Sequence, residues 1–232
     1  MVTSSFSGFP PQLFDFLREL KQNNNREWFQ DHKQRYKEQV VYPVQDFIIA
    51  MGPMLGNISR FYDADPRTNG GSMFRIYRDA RFSRNKQPYK THVGCQFRHQ
   101  AGKDAHAPAF YLHLEPGEVF FGGGVWMPPN PILEQIRARI AARPDEWGSI
   151  INESSFRERF GELRGESLKR PPRGYTAEEP YLADLKRKSF VLMQESAEEH
   201  AYNAEFIKEV AHSFNAAVPL MEFVTRAIEL PF

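Results

Sequence analysis

The chain has a single cysteine, Cys95, in 232 residues, so no intrachain disulfide can form. Packing must hold the fold, and a reducing, cytoplasmic setting is expected. No stretch of 18 consecutive apolar residues occurs, and the start MVTSSFSGFPPQLFDFL lacks the basic opening and continuous apolar core of a signal peptide. No membrane association is therefore expected. Net charge is almost absent too: 30 cationic against 29 acidic side chains leave +1. That disfavours a broad electrostatic footprint on nucleic acid, because such binding scales with the number of phosphates neutralised. Complete catalytic signatures are also missing. There is no HExxH, no phosphate-binding loop and no GxGxxG fingerprint, so no cofactor is indicated. The triplet Tyr77-Arg78-Asp79 has the look of a kinase catalytic loop, but Asn85 falls one position too late and no glycine-rich loop accompanies it.

Aromatic residues are abundant, 14% of the chain with 20 Phe, enough for a large core without staples. Leu13, Phe16, Leu17 and Leu20 recur at helical spacing behind Pro10 and Pro11. A second helix is expected from the asparagines at 23–25, carrying Trp28, Phe29, His32, Tyr36 and Val40 along one side, with a kink or restart at Pro43. The period then changes. MFRIYRD, THVGCQFRH, AFYLHLE and EVFFGGG read as four successive strands of an antiparallel meander, and KRKSFVLM as a further strand. Helical stripes resume at Ile132–Ile140 and at Phe206–Val224, the latter interrupted near Pro219. Helices before and after a run of strands imply one α+β domain over residues 1–232.

The strongest local signal is Arg75–His92, RIYRDARFSRNKQPYKTH. It holds Arg75, Arg78, Arg81, Arg84, Lys86 and Lys90 against one acid, Asp79, leaving 24 cationic and 28 acidic residues elsewhere. Interleaved Tyr77, Phe82, Pro88 and Tyr89 are unlike a plain solvated charge run. Guanidinium forks and ammonium groups so concentrated point to anion recognition by Arg75, Arg78, Arg81, Ser83, Lys86, Tyr89 and Lys90. The bland alternative is an internal lattice of Arg78, Asp79 and Arg81. An Arg78–Asp79 pair at the strand's end predicts that Asp79→Ala is markedly destabilising and that Lys86→Ala is tolerated. A rival function is binding of single-stranded nucleic acid, with Phe82, Tyr89 and Trp126 stacking on bases and Arg170, Arg173, Lys186, Arg187 and Lys188 extending the basic path. A noncatalytic interaction scaffold is the third reading.

Other constellations are weaker. In NNREWF, Asn24 or Asn25 is expected to cap the second helix, with Trp28 in the core; alternatively the helix end faces the basic loop, and Arg26 and Glu27 line its cavity. Gly122–Gly124 mark a bulge or close backbone approach, or line a pocket beside Trp126. His92, His99, His106 and His113 recur every seven residues. That spacing alternates strand faces, so only His92 and His113 can sit on neighbouring strands, and no metal site is expected. His113 with Glu115 on one strand face is a candidate acid–base pair, and Asp79, Glu27, His92 and His113 are the candidates for proton transfer. Cys95, alternating with Val93 and Phe97, reads as a buried small hydrophobe.

Four motifs in order carry a family likeness: NNREWF at Asn24–Phe29, RIYRDARFSRNKQPYK at Arg75–Lys90, GGGVWMP at Gly122–Pro128 ahead of a helix containing IRARI, and LKRPPRGY at Leu168–Tyr175 ahead of LKRKSF. Together they resemble the family designated domain of unknown function 2461. The resemblance implies a single α+β domain and assigns no activity or catalytic residue.

Overall fold

A computed structural model describes residues 6–79, 81, 84–102 and 107–232. Helix α1 (Pro11–Gln22) starts behind Pro10, and buries Leu13, Phe14, Phe16, Leu17 and Leu20. Asn25 caps the short α2 (Arg26–Asp31), its side chain accepting from Trp28 N. A brief α3 (Lys33–Tyr36) runs through a π-helical turn, Lys37–Val41, into α4 (Tyr42–Ile58). Pro43 lies in the first turn of α4. It has no N–H to donate backwards and its ring crowds the carbonyl four residues earlier, and the widened turn accommodates both defects. The restart expected at Pro43 is therefore a π-turn just ahead of it.

The sheet is a four-stranded antiparallel meander in the order β1 (Val93–Arg98), β2 (Ala109–Glu115), β3 (Glu118–Val125) and β4 (Phe190–Ser196). With helices flanking it, the fold class is α+β. The fourth strand comes from the late KRKSFVLM segment. The early MFRIYRD segment makes isolated bridges, Met73 opposite Cys95 of β1 and Tyr77 opposite Tyr89 ahead of β1. Between β3 and β4 lie α5 (Asn130–Ala142), α6 (Pro144–Ile151), α7 (Ser154–Phe160) and the single turn α8 (Leu182–Leu185). Helix α9 (Phe206–Ala227) follows β4 and runs through Pro219 without the expected break.

Strand alternation sorts the sheet's two faces. Phe97, Phe110 and Phe121 point to the helices, where Phe214 lies 5.8 Å from Phe97 and 4.8 Å from Phe110, and Phe206 lies 5.7 Å from Phe121. These rings belong to one contiguous buried cluster that also takes in α1 and α4. Cys95 is fully buried in it, as its alternation implied, and burial pushes its thiol up to about 12. The opposite face carries Gly94 and Gln96 from β1, Tyr111, His113 and Glu115 from β2, Phe120, Gly122 and Gly124 from β3, and Met193 from β4. Tyr111, Phe120, Gly122, Gly124 and Met193 of this second face line a cavity, and Glu115 lines another.

Among the described residues, no helix is long and apolar enough to cross a membrane.

Candidate functional site

The basic segment forms an arm off the β1 edge. Phe74 N donates to Gly94 O at 2.9 Å and Gln96 N to Ser72 O at 2.7 Å, tying the incoming chain to β1. Arg78 N donates to Pro88 O at 2.9 Å and Lys90 N to Ile76 O at 2.7 Å, so residues 76–78 pair with 88–90. Alternation does the rest. Ile76 and Tyr89 are buried while Arg75 and Tyr77 are exposed.

NNREWF anchors this arm. Asn24 Nδ2 donates to Tyr89 O at 3.0 Å, and Tyr89 N donates to Asn24 Oδ1 at 3.1 Å, so one carboxamide satisfies both backbone groups of Tyr89. The Tyr89 ring stacks on Phe29 at 4.2 Å. Asn25 is the helix cap, Asn24 the clamp, and Trp28 is half-buried against Phe16 and His32 rather than in the core. Asn24→Ala removes two hydrogen bonds to a buried backbone, each contributing about 0.5–1.5 kcal/mol net. Urea unfolding is expected to show a loss of about 1–3 kcal/mol, with the same variant weakening any ligand held by the arm.

Two cavities flank the arm. The larger, about 800 Å³, is lined by Arg26, Arg75, Tyr77, Arg78, Arg81 and Lys86, with Gln30, Asp79, Pro88 and Tyr89. Arg26 thus joins the basic loop, while Glu27 is exposed and lines neither cavity. The second, about 560 Å³, has Lys21, Arg78, Asp79, Lys90, His92 and Glu115 on its walls, with Asn85, Gln87, Tyr89 and Thr91. Arg78, Asp79 and Tyr89 line both.

The expected internal lattice is only partly present. Among the described residues Asp79 forms its ion pair with Arg81, Arg81 Nε donating to Oδ1 at 2.9 Å and a terminal nitrogen to Oδ2 at 2.6 Å. Both side chains are exposed, and the Arg81 fork holds the Asp79 carboxyl down at about 2. An exposed pair contributes little, because water screens it and two long side chains must be ordered to form it. The expectation that Asp79→Ala is markedly destabilising is corrected: its partner is Arg81 in solvent, and near-wild-type unfolding is expected in urea. Among the described residues, no ion pair holds Arg26, Arg75 or Arg78. Lys90 donates to Arg75 O at 2.9 Å and lies 5.1 Å over the Phe74 ring; burial, then Arg75, pulls its ammonium below the usual range. Ser83, Phe82 and His106 lie outside the described residues.

His92 and Glu115 on the wall of the 560 Å³ cleft converge with His113. The register sets Val93 opposite Leu114 and Gly94 opposite His113, which brings His92 beside β2, and its ring centroid lies 4.5 Å from that of His113. His113 stacks on Phe120 at 4.5 Å and 7°. Desolvation lowers both histidines, His92 to about 4, so both are neutral near pH 7; the carboxylate of Glu115 only partly opposes this. The acid–base candidates His92 and His113 therefore share one site with Glu115, while His99 is buried elsewhere against Phe61, its Nε2 2.8 Å from Pro231 O.

Trp126 stands apart from the basic clefts. It lines a separate, mostly apolar trough of about 450 Å³ on the open sheet face with Phe74, Tyr111, Phe120 and Met193, over a floor of Gly122–Gly124. The glycines serve both readings made of them. A Cβ on Gly122 or Gly124 would fall 2.0 Å from a β4 carbonyl oxygen, and their bare backbone also opens the trough. Two members of the second cationic group are engaged by their own acids. Arg187 is bound to Asp184 and to Leu163 O, and Lys188 to Glu166.

Residues 12–223 match the family model of the conserved hypothetical proteins DUF2461, and the chain belongs to that family. None of the curated proteins matches it.

Proposed function

We propose that this DUF2461 protein binds a small anion bearing phosphate or carboxylate groups between the basic arm and the start of α2. The observation that carries this reading is that Arg26, Arg75 and Arg78 line one cavity of about 800 Å³ and that no ion pair among the described residues neutralises them. Guanidinium groups that are not satisfied internally retain their forks for bidentate contact with an oxyanion. Lys86 adds a point charge, and the exposed ring of Tyr77 supplies flat apolar surface for the rest of the ligand, with Tyr89 buried behind it on Phe29.

A small ligand suits the geometry better than a long nucleic-acid strand. Arg187 and Lys188 are committed to Asp184 and Glu166, and Trp126 faces a different cavity, so these three members of a strand-binding path are engaged elsewhere. Thermal-shift measurements with sulfate, sugar phosphates, nucleotides and dicarboxylates test the proposal. A ligand at a hundred times its dissociation constant stabilises by about 2.7 kcal/mol, which raises the midpoint by several degrees. Lys86→Ala, an exposed change costing about 0.5 kcal/mol or less in stability, is expected to fold normally and to shrink that shift. If no anion outperforms chloride at equal ionic strength, the proposal is wrong. Tight binding of labelled single-stranded DNA or RNA with a steep salt dependence would replace it with the nucleic-acid reading.

A further inference from the structure

We infer that His92, His113 and Glu115 form a binding site for one divalent first-row transition-metal ion. Sequence spacing disfavoured a metal because it weighed histidines alone; the third ligand is a carboxylate, and the strand register delivers it. One nitrogen from each imidazole and one Glu115 oxygen all lie within 4.8 Å of one another. His113 Nε2 is 3.6 Å and His92 Nδ1 3.9 Å from Glu115 Oε2. Ligands held on zinc at about 2.0–2.2 Å and tetrahedral angles stand roughly 3.4 Å apart, so small side-chain movements close the site.

The surroundings orient the three groups as ligands. Glu115 divides its oxygens: Oε1 accepts from Thr91 Oγ1 at 3.0 Å and faces Lys21 at 3.5 Å, while Oε2 is turned to the two imidazoles. Tyr111 Oη lies 3.1 Å from His113 Nδ1. With the proton on Nδ1 and donated to that oxygen, the Nε2 lone pair points into the cluster, the outer-shell arrangement that fixes the tautomer of a metal-bound histidine. The second, independent observation is that His113 is 8% exposed and its Nε2 is buried without a hydrogen-bond partner among the described residues, Glu115 Oε2 lying 3.6 Å away. A buried acceptor left unpaired is costly, and a cation 2 Å away would satisfy it.

Two histidines and one glutamate are ligands for Zn²⁺, and two histidines with one carboxylate also hold Fe²⁺ with open coordination positions. The open side here is the 560 Å³ cleft, whose wall includes His92 and Glu115. Metal binding does not depend on the anion reading.

The test is titration of chelator-treated full-length protein with Co²⁺, followed by its visible absorption, and then by Zn²⁺ in competition. One equivalent is expected to bind, with Zn²⁺ displacing Co²⁺. His92→Ala and Glu115→Gln, both at partly exposed positions and checked for folding by circular dichroism, should weaken binding by about 100-fold or more, beyond the about 10–100-fold typical of outer-shell partners. His200→Ala, at an exposed histidine paired with Glu209, should leave it unchanged. Failure of the parent protein to bind one equivalent overturns the inference, as does undiminished binding by His92→Ala and Glu115→Gln.

Discussion

Asp184→Ala is expected to lower stability by about 3–5 kcal/mol, the cost of removing one partner of a buried ion pair and orphaning the other. Asp184 and Trp147 are buried, at 7% and 0% exposure. Trp147 Nε1 donates to Asp184 Oδ2 at 2.9 Å, and Arg187 Nε donates to Oδ1 at 2.9 Å. Arg187 also donates to Leu163 O at 2.8 Å, and the buried Arg137 donates to Leu185 O at 2.7 Å and Arg187 O at 3.0 Å. One carboxylate thus ties α6 and α8 to the approach of β4, and losing it takes the acceptor from the Trp147 indole N–H and the counter-charge from the Arg187 guanidinium, which keeps its bond to Leu163 O. Asp184→Asn keeps an acceptor for Trp147 and should cost less. Urea unfolding of the two variants measures the difference; equal, small losses would show that the knot contributes little.

The second large effect is expected at Gly124, whose φ of +145° few L-residues adopt. An added Cβ would fall 2.0 Å from Phe190 O and 2.7 Å from Val191 Cα, both backbone atoms of β4 that cannot swing aside. Gly124→Ala combines backbone strain of about 1–3 kcal/mol with overpacking of about 1–3 kcal/mol. Gly117 is the control: its φ is +79° in the β2–β3 turn and an added Cβ meets nothing within 4 Å. Gly117→Ala should therefore cost only the left-handed penalty, about 1–2 kcal/mol. Equal midpoints for the two variants would contradict the account of β3 and β4 approaching unusually closely there.

The same glycines show what was legible in the sequence. Three in a row at a strand end signal close approach, because nothing else in the code tolerates it, and the structure bears that out. Alternating Val93, Cys95 and Phe97 marked the core face of β1 correctly, and the spacing of His92 and His113 placed them as neighbours. MFRIYRD carries strand-like alternation yet makes only isolated bridges, since from Ile76 onward its neighbour is the returning limb of its own arm rather than the sheet. The partner of Asp79 was misjudged because adjacency in sequence favoured Arg78, whereas a short carboxylate reaches the residue two further on around the turn. Arg137 and Asp184 left no signal at all. Charged residues on an amphipathic stripe read as solvated until the helix is placed, and only tertiary packing brings a carboxylate under Trp147. Asn24 as a clamp was equally hidden, because its partner is a backbone 65 residues away.

The central claim, an anion site between the arm and α2, is tested most directly by soaking crystals in tungstate and locating the heavy anion. The account predicts a difference peak within hydrogen-bond distance of Arg78 and of Arg26 or Lys86, weakened in crystals of Lys86→Ala. Tungstate bound only beside Arg170 and Arg173, or nowhere at ordered occupancy, would contradict it.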